Sequence, residues 1–211
     1  MKEILTVIEH RLQTDGVANV VIAGMTCSGK TTLANEIKEE FSDIYTVSIL
    51  HQDDYFRNLE RIPKSEIGYH MDSIEAFCVE EFVHDSFTLF AGRPVFTPIY
   101  DVSRNRRVEG RGHVVYSGNI NVVEGLHAIG LLHDRQLEEE EAMHLENVFL
   151  EVNLEVCLKR RIERDTTKYH VPEWRIRQAW KECILPLSEQ YIFPQKKHAS
   201  LIMNEKGGEK S

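Results

Sequence analysis

Hydrophobic and polar positions along this chain follow two rhythms in turn. In "KEILTVIEHRL", Ile4, Leu5, Ile8 and Leu12 recur at helical spacing with charges between them. That predicts an amphipathic helix and not a leader peptide, whose apolar core would be unbroken. "NVVIAG" (19–24) is a short continuous apolar run, the kind buried on both faces of a parallel sheet. "KTTLANEIKEEF" returns to helical spacing with Leu33, Ile37 and Phe41 on one face. "IYTVSIL", Ile44 to Leu50, predicts a second strand that ends at the polar "HQDDYF". After a loop containing Pro63 and Gly68, "SIEAFCVEEFVHDSFTLFAG" predicts one long helix, started by Asp72 or Ser73 as N-cap and stopped by Gly92.

The second half continues the alternation. "RPVFTPIYD" is extended, but its two prolines suit an edge or an excursion better than a central strand. "GHVVYSGNINVVEG" offers two strands, and "HLENVFLEV" another of the buried type. "LEVCLKRRIERD" predicts a helix, "TTKYHVP" a loop, "EWRIRQAWKECILPLSEQYI" a helix interrupted near Pro186, and "ASLIM" a last strand. Strands alternating with helices predict an α/β fold with a mostly parallel sheet, helices on both faces and right-handed crossovers. The 211 residues suit a single domain with a small lid. No repeat is visible, and the acidic run Glu138 to Glu141 predicts a solvated helix or loop face.

Composition narrows the function. The chain carries 34 acidic against 25 basic residues, a formal net charge of -9. This disfavours nucleic acid or an anionic membrane as partner and leaves room for a small anion held by a few local cations. No run approaches the ~18 apolar residues of a membrane span. Cys27, Cys78, Cys157 and Cys183 lack metal or disulfide spacing, which predicts reduced thiols in a cytoplasmic protein. The ten histidines form no metal pattern.

The chemistry concentrates at "VVIAGMTCSGKTTLANEI", where Gly24, Gly29, Lys30 and Thr31 fit G-x-x-x-x-G-K-[ST] between a strand and a helix. The glycines let backbone N–H groups turn inward onto phosphate oxygens, and the following helix adds the positive end of its dipole. Lys30 is expected on the β- and γ-phosphates and Thr31 on Mg²⁺. Thr26, Ser28 and Thr32 belong to the same expected nucleotide site, with ATP and Mg²⁺ its occupants.

Three further features separate a kinase from a motor or switch. Asp53 and Asp54 follow the second strand, where α/β sheets bind ligands, so one of them is expected to accept a proton from an attacking hydroxyl. The alternative is an acidic strand end that caps a turn. Glu124 ends "NVVEG" in the manner of a Walker-B acid serving Mg²⁺; the alternative is a capping glutamate before Gly125. Arg160, Arg161 and Arg164 crowd one helix, and Arg161 and Arg164 share a face, as a lid closing over phosphates would require. A basic surface paired with Glu163 and Asp165 is the alternative. "YDVSRNRR", Tyr100 to Arg107, suits a polar, ring-bearing acceptor.

Taken in order, "GMTCSGKTT", "QDDYF", "DSIEAF", "TPIYDVSRNRR", "VVEG", "VFLEVNLEVCLKRRIERD" and "LPLSEQYIFPQKKHASLIM" resemble the uridine–cytidine kinases, P-loop small-molecule kinases related to phosphoribulokinase and nicotinamide riboside kinase. The resemblance runs from about Val20 to Met203. It implies a three-layer P-loop NTPase fold, with a lid near 164–173 and a β-excursion near 93–117 for the acceptor. It implies ATP-dependent phosphorylation of a nucleoside 5′-hydroxyl, uridine or cytidine first, with Asp53 as base. Asp72 would hold the ribose hydroxyls, Tyr100, Asn105 and Arg107 the nucleoside, Arg161 and Arg164 the phosphates, and Glu124 the metal. A homo-oligomer is expected on family likeness alone. Where relatives carry an aromatic and a histidine, this chain has Val102 and Asn105, so nicotinamide riboside, pantothenate or a sugar phosphate stand as alternative acceptors, and a non-kinase nucleotide switch as a further alternative.

Overall fold

The computed structural model describes residues 1–66, 68–136 and 143–204; the acidic run Glu138 to Glu141 lies outside them. Helix α1 (Lys2–Asp15) leads into strand β1 (Ala18–Gly24), helix α2 (Lys30–Phe41) and strand β2 (Val47–His51). A two-residue ribbon, β3 (Lys64–Ser65) with β4 (Gly68–Tyr69), precedes helix α3 (Val79–Phe90). Strands β5 (Val95–Asp101) and β6 (Arg106–Val115) form an antiparallel hairpin of their own. Then follow β7 (Ile120–Glu124), α4 (Ala128–Gln136), β8 (Glu146–Glu151), α5 (Leu154–Tyr169), α6 (Glu173–Ala179), an irregular helical run to His198, and β9 (Leu201–Asn204).

The main sheet has the order β2-β7-β1-β8-β9, and every pairing in it is parallel. Alternation along β1 explains the three layers. Val21 and Ala23 face one side, where Val123 and Phe149 join Phe82 and Leu89 of α3 and Ile129 and Leu132 of α4. Val20 and Ile22 face the other, against Ile4 and Ile8 of α1 and Leu33, Ile37 and Phe41 of α2. Strands buried on both faces read as continuous apolar runs, which is why β1 and β7 were visible in the sequence.

Four expectations are corrected. Strand β2 begins at Val47, not Ile44; the N–H groups of Ile44 and Tyr45 bond to the Phe41 carbonyl as the end of α2, and Ile44 is 81% exposed. The helix expected from Ser73 begins at Val79, with Cys78 and not Asp72 or Ser73 before it. Extended pairing intervenes: Phe56 bridges Phe77, and Cys78 N–H donates to the Tyr55 carbonyl at 2.8 Å. The "TTKYHVP" segment, expected as a loop, is helical through Tyr169. The Thr166 and Thr167 hydroxyls donate to the carbonyls of Ile162 and Glu163 at 2.6 Å each, which satisfies them inside the helix. The turn comes at His170, in the left-handed region at φ 54°. Finally, α4 was not anticipated: it is short, with Gly130 in its first turn, and is pinned by Gln195, whose Oε1 accepts from Gly130 N–H at 2.8 Å. The interruption expected near Pro186 is real: wide helical turns flank it at 180–184 and 188–192, accommodating a residue without an N–H.

Candidate active site

The carboxyl end of β1 runs straight into the glycine-bracketed loop. Gly29 sits at φ 97°, a conformation that favours glycine, and delivers the chain into α2. At Gly24 a Cβ would lie 2.8 Å from the Leu150 carbonyl oxygen, so β1 and β8 could not approach as they do with a larger residue. Lys30 is buried, and its Nζ donates to the carbonyls of Gly24 (3.2 Å) and Met25 (3.0 Å), across the loop's own mouth.

Neighbouring strand ends bring acids to this loop. Register pairs His51, the last residue of β2, with Glu124, the last of β7. Glu124 is buried and its Oε1 accepts from Thr31 Oγ1 at 2.9 Å and His51 Nδ1 at 2.7 Å. Burial pushes this carboxyl up, but the His51 bond, the Lys30 charge and the Thr31 bond outweigh it, and the group lies below its ordinary value. Asp53 is open to solvent along the cleft yet deep among protein atoms. Desolvation and the nearby Glu124 charge push it up to about 6, against the opposing pull of Lys30 and Arg164.

Helix α5 closes the other side. Arg161 Nη1 donates to Thr26 Oγ1 in the loop and to Asp72 Oδ1, both at 2.9 Å, while its Nε lies 3.3 Å from Asp165. Arg164 Nε bonds Asp165 at 2.7 Å. One guanidinium thus ties the phosphate loop to the acid expected to hold the acceptor. All these groups border one cleft of about 1810 Å³.

Of the expected residues, Thr26, Ser28, Gly29, Lys30, Thr31, Thr32, Asp53, Asp72, Tyr100, Asn105, Glu124, Arg161 and Arg164 line that cleft. Gly24 shapes it from behind through its carbonyl. Arg107 is not brought there: it lies against Glu81 of α3, with Nη2 2.7 Å from that carboxylate. Tyr100 packs against Phe56, its hydroxyl buried without a hydrogen bond among the described residues, and burial pushes it up to about 12. Asn105 adopts φ 49°, and its carbonyl accepts from Leu59 N–H at 3.0 Å, which fixes where its side chain meets the cleft. Sequence reasoning missed His51 and Gln52. Gln52 is fully buried, accepts from His127 N–H at 3.0 Å and presses on Gly125, where a Cβ would stand 2.2 Å from its Oε1. The signal was present: both directly precede Asp53 at a strand end.

The residues fit a nucleotide tail with Mg²⁺. Ser28 Oγ is buried with no partner among the described residues, and the Thr31 proton goes to Glu124, leaving the hydroxyl oxygen's lone pairs free for a cation. Mg²⁺ commonly takes one or two protein oxygens and completes its shell with phosphates and water. Among the described residues no group of three or more His, Cys, Asp or Glu converges.

A parallel sheet whose first strand enters a phosphate loop, with acids at the adjacent strand ends and arginines facing them, defines a P-loop kinase. The chain belongs to the Phosphoribulokinase / Uridine kinase family, whose model matches residues 20–210. Over 187 residues it is 30% identical to a uridine kinase of Deinococcus deserti, covering 88% of this chain and 86% of that one. It is 28% identical over 187 residues to the chloroplastic uridine/cytidine kinase UKL1 of Arabidopsis thaliana; the match covers 88% of this chain and spans only 37% of that protein's length. Phosphoribulokinase from Rhodobacter spheroides shares the fold with a TM-score of 0.61 at 12% identity, over 89% of this chain and 70% of that one. Among the described residues no helix is long and apolar enough to cross a membrane.

Proposed function

We propose that this chain uses ATP to phosphorylate the 5′-hydroxyl of a nucleoside, with uridine or cytidine as acceptor. One observation carries the reading: the phosphate loop, Asp53, and the acceptor-side Asp72, Tyr100 and Asn105 are walls of a single cleft. Bound Mg²⁺·ATP supplies the phosphoryl group. Asp53 orients the 5′-hydroxyl and takes its proton; with its pKa near 6 it is a stronger base than an ordinary aspartate and is still ionised at neutral pH. Lys30, Arg161 and Arg164 balance charge as it shifts toward the leaving phosphates, while loop N–H groups, with Ser28 and Thr32, grip the tail. Thr31 and Glu124 hold the cation. Asp72 accepts from the ribose hydroxyls, and Tyr100 and Asn105 meet the nucleoside.

In this reading the 211 residues form one kinase domain, with 164–173 as lid and 93–117 as acceptor excursion. A cytoplasmic location accords with the scattered spacing of Cys27, Cys78, Cys157 and Cys183, which forms no disulfide or metal pattern in the sequence. A second reading keeps the chemistry and changes the acceptor to nicotinamide riboside, pantothenate or a sugar phosphate. It is favoured by Val102, which lines the acceptor side of the cleft and has no ring to stack on a pyrimidine. ADP release from Mg²⁺·ATP against a panel of nucleosides and these metabolites decides between them. Release dependent on uridine or cytidine is expected. Release without any acceptor would replace the kinase reading with that of a nucleotide switch.

A further inference from the structure

We infer that His51 is a positioning residue, holding the Glu124 carboxylate in the setting that a divalent cation bound with the nucleotide requires. The inference rests on the kinase reading above. Glu124 is a buried carboxylate at the end of a central strand, and an ionised group there needs fixed donors. Two side chains supply them, Thr31 Oγ1 at 2.9 Å and His51 Nδ1 at 2.7 Å, and both converge on Oε1. A single donor leaves a carboxylate free to rotate about that contact; two donors from different elements, α2 and β2, fix its plane.

His51 reaches Glu124 because β2 and β7 are parallel neighbours in a register that sets the two residues side by side. Adjacent residues in paired strands point to the same face. An ionised carboxylate only accepts, so Nδ1 carries the hydrogen. Thr31 meanwhile gives its proton to the same Oε1 and keeps lone pairs for the cation. His51 therefore acts one shell out from the metal, without touching it or the reacting atoms. Nothing else in the chemistry assigned to the cleft uses this histidine. Partners of this kind commonly change metal affinity about 10–100-fold when removed.

The test measures Mn²⁺ binding by the paramagnetic resonance of free Mn²⁺, in full-length protein saturated with β,γ-methylene ATP. His51→Leu removes the donor, and His51→Ala replaces it if leucine prevents folding. His51→Asn keeps a donor at the Nδ1 position. The apolar variants should weaken Mn²⁺ binding about 10–100-fold. His51→Asn should stay within about threefold of wild type, since its amide donates from the same place. Affinity for the nucleotide analogue without metal should be the same in all. Near-wild-type Mn²⁺ affinity in the apolar variants overturns the inference, as does equal weakening in His51→Asn. Failure of the wild type to bind Mn²⁺ with the analogue would instead remove the kinase reading on which the inference stands.

Discussion

Replacing Arg161 by methionine removes the cation joining the phosphate loop to the acceptor-side acid while keeping a long unbranched chain in its place. Arg161 Nη1 lies 2.9 Å from Asp72, and the side chains of the pair are only 14% and 10% exposed. At an effective dielectric of about 20, opposite charges about 3 Å apart attract by about 5–6 kcal/mol. Desolvation consumes part of that, and removing one member of a buried pair typically costs about 3–5 kcal/mol because the other is left uncompensated. Asp165 retains Arg164 at 2.7 Å, so the loss falls mainly on Asp72 and belongs at the lower end, about 3 kcal/mol. In a domain of this size about 1 kcal/mol moves Tm by 2–4 °C, so ligand-free Arg161→Met should melt roughly 6–12 °C below wild type. Circular dichroism melts at pH 7 and low salt measure this. Adding Asp72→Asn removes the stranded charge and should recover most of the loss, a coupling that a double-mutant cycle reads directly. A shift under about 2 °C, or no recovery in the double variant, would refute the view that this ion pair is a buried structural link.

Asp53→Asn should abolish turnover, leave ATP affinity within about threefold of wild type, and raise Tm, since a base held in a desolvating site is kept at a cost in stability. Because Asp53 must be ionised and its pKa is about 6, kcat/KM should fall tenfold per pH unit below that value. The same shift sets a stability signature: a carboxyl raised from 3.8 to about 6 on folding favours the folded state at low pH, and that advantage is lost as pH rises through this window. The Tm of wild type relative to Asp53→Asn should therefore drop between about pH 4 and 6 and level off above; a difference independent of pH contradicts the assignment. Tyr100→Phe deletes a buried hydroxyl that has no hydrogen-bond partner among the described residues and should raise the acceptor KM without changing that of ATP, measured in steady-state kinetics. Ile8→Ala, in the fully buried contact of α1 with the sheet, should cost about 2–5 kcal/mol in urea unfolding and leave the activity per folded molecule unchanged.

The parts legible in the sequence were those governed by local pattern. Val20 to Ala23 announce a strand buried on both faces, and Gly24 to Thr31 announce the loop by spacing alone. What escaped depends on partners remote in the chain. Phe77 reads as helical until it pairs with Phe56, and α4 holds its place through Gln195, over sixty residues away. Thr166 and Thr167 have loop-like propensity, which their bonds back to the preceding turn override. The same holds within the site. Asp53, Asp72 and Glu124 could be picked out by their strand-end or motif positions. Arg107 carries the right charge in the right segment, but Glu81, on helix α3, takes it. His51 gains its meaning only when strand order sets β2 beside β7.

The central claim is tested most directly by phosphorus NMR of the finished reaction. Wild-type protein with Mg²⁺·ATP and uridine or cytidine should yield ADP and the nucleoside 5′-monophosphate in equal amounts, with the new resonance coupled to the 5′ protons, and Asp53→Asn should yield neither. Inorganic phosphate beside unmodified nucleoside would contradict it.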